Sequence, residues 1–250
     1  MDGAQDDSEW QALLARRPAA AGALAGLFAP ILATPSAPDG CIVVGRLAQT
    51  LDGRIATRAG HSQWIGGAGD IRHTHRLRAL CDAVLVGAAT VRADDPRLTT
   101  RDVPGPSPVR VVLDASRRLG ADYAIFREGP PTLLVAATDG PSHHGTAEVL
   151  RVERDAAGGL DLPALLRALA TRGLTRIFVE GGGQTVSRFL AAGCLDRLHV
   201  TVAPMILGSG RPAFDLPEVA RIEQGMRFAW TCHRLDPDVL FDIALDRRAP

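Results

Sequence analysis

Groups able to do chemistry gather in this sequence where apolar runs stop. In Ile177 to Leu190, IFVEGGGQTVSRFL, an apolar run ends on Glu180 and is followed by Gly181, Gly182 and Gly183. Lacking Cβ atoms, these glycines let a bulky anion approach the backbone. The N–H groups at the helix start that follows, near Gln184 and Thr185, face such an anion with the helix dipole behind them. The stretch reads as a phosphate cradle without the GxGxxG spacing; a plain strand-to-helix turn is the alternative. Glu180, a carboxylate at the end of a core strand, suits a ligand or a neighbouring Arg.

A second gathering is Ala83 to Arg101, AVLVGAATVRADDPRLTTR. The unbroken run Ala83-Val84-Leu85-Val86 suits a parallel strand covered on both faces. Gly87 permits a tight exit, and Thr90 offers a hydroxyl at a helix start. Asp94-Asp95-Pro96 ends that short helix, and Leu98-Thr99-Thr100-Arg101 leads away with a cation. Ligands of open parallel sheets bind at the carboxyl ends of strands. A third gathering is Asp114-Ala115-Ser116-Arg117-Arg118 after an apolar run. Its hydroxyl and guanidinium groups suit an adenosine 2′-phosphate, which distinguishes NADPH from NADH. A charged surface loop explains either Arg singly.

The elements that must position these groups follow from pattern. Cys41 to Val44 is a strand, and the Asp52-Gly53 step after it marks a turn. Gly69-Asp70 opens a helix with Ile71, Thr74, Leu77 and Cys81 at helical spacing. Val109 to Leu113 and Thr132 to Ala136 are buried strands. Pro163 begins a helix with Leu165, Leu166 and Leu169 on one face, closed by Gly173. Arg176 to Val179 is a strand, and Val186 to Leu190 is helical. His199 to Ala203 and Val239 to Leu245 are strands, expected to run antiparallel. This alternation predicts an α/β fold of three layers, α/β/α, around a mostly parallel sheet.

Composition excludes several classes. With 250 residues, 46% hydrophobic and 22% charged, the chain can bury a sizeable core. Its net charge is zero, so no basic field recruits nucleic acid. All 28 basic residues are Arg, which leaves no lysine for a Schiff base or a P-loop. Cys41, Cys81, Cys194 and Cys232 lack metal or redox spacing and read as free thiols of a reducing, cytoplasmic compartment. His73 and His75 lie two apart on a helix, hence on different faces. His143-His144 sits in a Gly/Pro/Ser loop, and no metal site is expected. Arg16-Arg17 before the Ala-rich run mimics an export signal. Acidic residues in front (Asp2, Asp6, Asp7, Glu9) and Pro30 and Pro35 argue against one. The expectation for residues 1–40 is an amphipathic helix around Trp10 to Arg17 and a loose Ala/Pro linker, with no membrane span.

Taken in order, QTLDGRIA, GHSQWI, HRLRALCDAVLVGAATVRADDPRLTTR, RVVLD, VEGGG and APMILG resemble the reductase of riboflavin biosynthesis. That is the C-terminal domain of the bifunctional deaminase–reductase, also found as a stand-alone enzyme. The resemblance covers about Cys41 to Leu245 and implies a reductase domain over residues 41–250. It implies a dihydrofolate-reductase-like fold with a mixed, mostly parallel sheet. Neither HxE nor CxxC, the deaminase's zinc signature, is present, so it implies the reductase half. It places NADPH against Ala48, Trp64, Thr90, Asp94, Ala115, Gly182, Gly183, Gln184 and Thr185. It places a phosphorylated pyrimidine against Ser62, Arg78, Leu98, Arg101 and Glu180. In those roles Arg78 and Arg101 pair with a ribose 5′-phosphate, and Ser62 adds a hydroxyl. Glu180 accepts from pyrimidine amino groups, and Trp64 forms an apolar wall. The implied reaction moves hydride from NADPH to C1′ of a ribosylamino group, opening the sugar to a ribityl chain; no residue stands out as the catalytic acid. Arg46 stands where many members have Lys. The resemblance also implies a homodimer. Reduction of a related heterocycle such as a dihydropterin, and a non-catalytic nucleotide-binding role, are the other readings.

Overall fold

A computed structural model describes residues 3–16 and 22–247. The chain runs α1 (Gly3–Leu14), α2 (Ala23–Leu32), β1 (Ile42–Thr50), β2 (Arg54–Ala56), α3 (Ala68–Leu80), β3 (Ala83–Gly87), α4 (Ala88–Asp94), β4 (Val109–Leu113), β5 (Thr132–Ala136), β6 (His143–His144) and β7 (Ala147–Arg151). It continues through α5 (Leu162–Ala170), β8 (Arg176–Glu180), α6 (Gly183–Ala191), β9 (Arg197–Ala203), β10 (Arg211–Pro212), β11 (Trp230–Leu235) and β12 (Asp238–Ala244). One sheet has the order β11-β12-β9-β1-β8-β3-β4-β5-β7-β6, and β2 pairs with β10 apart from it. The pairs from β9 through β7 are parallel. The edges are antiparallel, with β12 against β9, β11 against β12 and β6 against β7.

Neighbouring residues of the central strands bury on opposite faces, as strand geometry requires. Val43, Leu85, Val111, Leu133 and Ile177 meet Leu165, Leu166 and Leu169 of α5 and Val186 and Phe189 of α6. Val44, Val84, Val112, Leu134 and Phe178 meet Leu77 and Leu80 of α3, Val91 of α4 and the helices α1 and α2. This is the three-layer arrangement read from the strand–helix alternation, and β12 does run antiparallel to β9.

Two expectations about the first 40 residues need correction. The helix at Trp10 begins earlier and ends at Leu14, and Arg17 lies outside the described residues. The expected loose linker contains α2, with Leu24, Leu27, Phe28 and Ile31 buried. Those positions form an apolar stripe of helical spacing, which the Ala/Pro composition hid. The tandem His143-His144 is likewise a two-residue strand rather than a loop.

The stripe lands beside a buried histidine pair. Phe28 stacks on His73 with centroids 5.5 Å apart. His73 Nε2 lies 3.0 Å from His199 Nδ1, and His199 Nε2 lies 3.2 Å from Asp242 Oδ1. Asp242 is also paired with Arg197. Burial holds His73 well below its ordinary 6.5, and His199 beside it adds to the effect. Burial also lowers His199, against the opposing pull of Asp242. Unfolded histidines take protons near pH 6.5 that these folded ones refuse. Stability should therefore be fully present above about pH 6.5 and decline as pH falls below it. The urea midpoint should drop between about pH 7 and pH 5, with a shallower drop in His73→Leu. Parallel slopes for the two proteins would refute this.

Candidate active site

The carboxyl ends of β1, β3 and β8 open on a cleft of about 990 Å³, at the upper end of the range for small-molecule sites. One wall is an acid–base framework. Arg78 Nε donates to Glu180 Oε2 at 2.7 Å, Nη2 donates to Oε1, and Nη1 donates to the Thr99 carbonyl at 2.8 Å. Burial acts to lower the Arg78 pKa, but the Glu180 carboxylate outweighs it and raises it. Beside this pair Arg46 meets Asp70, whose second oxygen accepts from Thr201 Oγ1 at 2.7 Å. His75 Nδ1 accepts the Arg101 backbone N–H at 3.1 Å, and His75 Nε2 lies 3.1 Å from Asp102 Oδ2. The exposed Arg101 side chain lines the cleft. Among the described residues its guanidinium has no ion-pair partner within 4.0 Å.

Next to Glu180 in the chain, Gly181 to Gly183 form the glycine turn of the cleft. Gly182 precedes α6, and its N–H donates to Thr90 Oγ1 at 3.3 Å. A Cβ on Gly182 would meet nothing nearer than Thr90 Oγ1 at 3.7 Å, whereas one on Gly183 would sit 2.2 Å from the Ala213 carbonyl oxygen. The two glycines thus serve different ends: Gly183 permits packing and Gly182 leaves space. Gly183→Ala should lose about 1–3 kcal/mol of stability through overpacking. Gly182→Val should lose only about 1 kcal/mol, the preference of an N-cap for Gly over Val, yet bind a dinucleotide about tenfold more weakly, roughly 1.4 kcal/mol. Equal melting losses in both would contradict the distinction.

Backbone strain collects here too. Trp64, 79% exposed, has φ +69°, and the buried Leu98 has φ +53°. Positive φ is uncommon outside glycine and clusters at ligand sites. The turn of QTLDGRIA and the loop of APMILG hold one another: Asp52 accepts from Thr50 Oγ1 and from the N–H groups of Leu207 (3.1 Å) and Gly208 (2.7 Å). These hydrogen bonds, that of Thr50 foremost, lower the Asp52 pKa to about 2.

Of the residues singled out in sequence, Ala48, Ser62, Trp64, Arg78, Thr90, Asp94, Leu98, Arg101, Glu180, Gly182, Gly183, Gln184 and Thr185 all line this cleft. Ala115 lies outside that lining; its carbonyl accepts from Ala137 N–H at 3.0 Å. The Arg117 and Ser116 side chains are also engaged elsewhere, with the Pro141 carbonyl and Arg154. Arg78, read from the resemblance as a phosphate contact, lines the cleft with its guanidinium paired to Glu180. His75 and Asp70 line the cleft without having been picked out. For His75 the available signal was its place one helical turn before Arg78. No group of three or more His, Cys, Asp and Glu is placed to hold a metal among the described residues.

A mostly parallel sheet whose strand ends open on a cleft joining a helix start to a wall of charged side chains belongs to the class of α/β proteins that bind phosphorylated ligands there. The RibD C-terminal domain profile matches residues 42–239. The chain therefore belongs to that family, the pyrimidine reductases of riboflavin biosynthesis. It is 39% identical over 187 residues to the 2,5-diamino-6-ribosylamino-4(3H)-pyrimidinone 5′-phosphate reductase of Methanothermobacter thermautotrophicus, covering 73% of this chain and 86% of that one. It is 36% identical to the riboflavin biosynthesis protein RibD of Aquifex aeolicus over 72% of this chain, but spans only 51% of that longer protein. Among solved structures, the deaminase/reductase of Thermotoga maritima superposes with a TM-score of 0.71 at 28% identity, over 82% of this chain and 57% of that one. The riboflavin biosynthesis reductase of Saccharomyces cerevisiae shares the fold, with a TM-score of 0.70 at 21% identity over 89% of this chain and 99% of that one.

Proposed function

We propose that this chain reduces a ribosylaminopyrimidine 5′-phosphate to the ribitylamino product, with NADPH as reductant. One observation carries the reading: a single cleft takes in both the α6 start at Gly182 and the Arg101 guanidinium, which has no ion-pair partner among the described residues, and each suits an anion. Two phosphorylated ligands meeting there fit the volume and the charges. The residues suit the cofactor, since Gly182 leaves the turn open to a diphosphate and the first N–H groups of α6, at Gly183 and Gln184, would face it. Ala48, Trp64, Thr90, Asp94, Gln184 and Thr185 would complete that half. When bound, the reduced nicotinamide supplies the hydride.

This chain's own residues do the positioning. Glu180, fixed by Arg78, keeps one carboxylate edge toward the pyrimidine. Arg101 and Ser62 take the phosphate, and Trp64 covers the reacting groups from water. His75 is a poor candidate for the acid because its Nδ1 is taken by the Arg101 N–H, its Nε2 faces Asp102 at 3.1 Å, and burial, with Arg78 next in effect, lowers its pKa to about 4. The 2′-phosphate that separates NADPH from NADH would reach past the cleft to Ala115 and the Ser116–Arg118 turn beyond β4. Calorimetry should give a clearly lower Kd for NADPH than for NADH; similar values would remove that turn from the site.

The deciding assay follows NADPH oxidation with the diaminopyrimidinone and aminouracil forms of the ribosylamino phosphate, against dihydrofolate. Turnover of dihydrofolate alone would replace this reading with the pterin one. The buried thiols of Cys41, Cys81 and Cys194 suit a cytoplasmic location. No helix among the described residues is long and apolar enough to cross a membrane. A homodimer is part of the proposal. The open edge of β11 and the exposed Ile222, Met226 and Trp230 form the face it would cover. Sedimentation at the monomer mass would refute it.

A further inference from the structure

We infer that His75 is a positioning residue for the phosphate subsite: its imidazole grips Arg101 and Asp102 together and so presents the Arg101 guanidinium to the substrate. The inference rests on the reading above in which Arg101 meets a phosphate.

The segment from Pro96 to Ser107 carries no helix or strand, so its shape depends on what fastens it. Arg78 holds the Thr99 carbonyl, Trp10 Nε1 of α1 holds the Pro104 carbonyl at 3.0 Å, and Thr100 is tied to Ser107 and Pro106. His75 makes the fastening at Arg101 itself. Its Nδ1 accepts the Arg101 N–H, so the ring proton resides on Nε2, which lies 3.1 Å from Asp102 Oδ2. The ring is 2% exposed and comes from the same helix as Arg78, so the rigid α3 sets its position.

This grip has an electrostatic consequence. Asp102 is the neighbour of Arg101 and half-exposed in the same cleft. Released, its carboxylate would compete with a phosphate for the guanidinium. Held 3.1 Å from His75 Nε2, it is turned from the guanidinium, which matches the absence of any Arg101 ion pair with Asp94, Asp95 or Asp102 among the described residues. The other charged groups facing the ring are Arg78 and Glu180, and they already satisfy each other. His75 therefore stays neutral and acts as a two-ended clamp.

The test uses the full chain with NADPH and the phosphorylated ribosylaminopyrimidine. H75L fills the volume without an acceptor; H75N keeps an amide oxygen near the Nδ1 position. H75L should raise KM about tenfold with kcat within about twofold of wild type, as for loss of one charged contact. H75N should recover most of that KM, and the double variant H75L/D102N part of it. NADPH affinity should not move, and a dephosphorylated substrate should be indifferent to H75L. Inorganic phosphate, measured by calorimetry with NADPH present, should bind about tenfold more weakly to H75L. An unchanged phosphate affinity in H75L would overturn the inference. So would equal losses for phosphorylated and dephosphorylated substrates accompanied by weaker NADPH binding. If the wild type reduces no ribosylaminopyrimidine while H75L still loses phosphate affinity, the substrate reading fails and the clamp stands.

Discussion

Arg78→Leu should destabilise the protein by about 3–5 kcal/mol and leave little reductase activity. The guanidinium and the Glu180 carboxylate are 8% and 19% exposed, and the pair is bidentate. Removing the cation leaves a carboxylate in a partly dry wall with nothing to offset its desolvation. It also frees the Thr99 carbonyl and with it the start of the Arg101 segment. Two apolar groups of similar size carry no such penalty, so Arg78→Leu with Glu180→Leu should regain much of the melting temperature and none of the activity. The measurement is urea unfolding of the two variants beside the wild type. A single variant as stable as the wild type would show that water screens the pair, and Glu180 would then be free to face ligand alone.

That pair also shows where sequence reading stops. Arg78 and Glu180 are 102 positions apart; Glu180 alone suits a ligand or an Arg, and nothing local says which Arg. Their mutual claim arises only when α3 is laid across β8. The same holds for His75, whose partners come from a loop more than one element away. By contrast, the strands were legible one by one, because parallel strands buried on both faces are mostly apolar runs, even where, as in β4, one buried polar residue, Arg110, interrupts them. β4 and β5 carry the bounds read from their apolar runs. The exposed strand β11, Trp230–Leu235, has no such run, and its pattern is mostly solvent-facing. α2 was obscured for another reason: Pro30 and the Ala/Pro-rich stretches around it read as linker, while the four residues that bury it are spread at helical intervals. Gly182 and Gly183 look alike in sequence, and only the Ala213 carbonyl beside one of them separates packing from ligand space.

With Arg78 committed to Glu180, the case for a phosphorylated substrate passes to Arg101. Arg101→Ala should lower kcat/KM for the phosphorylated pyrimidine by about one to two orders of magnitude, as loss of a charged hydrogen bond worth roughly 1.5–3 kcal/mol implies. Stability should barely change, because the exposed guanidinium makes no ion pair among the described residues and the His75 contact uses the backbone N–H, which alanine keeps. NADPH affinity should also hold, since the glycine turn is untouched. Inorganic phosphate should compete with substrate in the wild type and far less in the variant. The alternative is that Arg101 only shapes its loop. Its signature would be a lower melting temperature, weaker NADPH binding and an equal loss with dephosphorylated substrate. Finding that signature would take the phosphate out of the site and leave Glu180, held by Arg78, as the feature to explain; a carboxylate facing a flat amino-bearing ring serves a pterin as well as a pyrimidine.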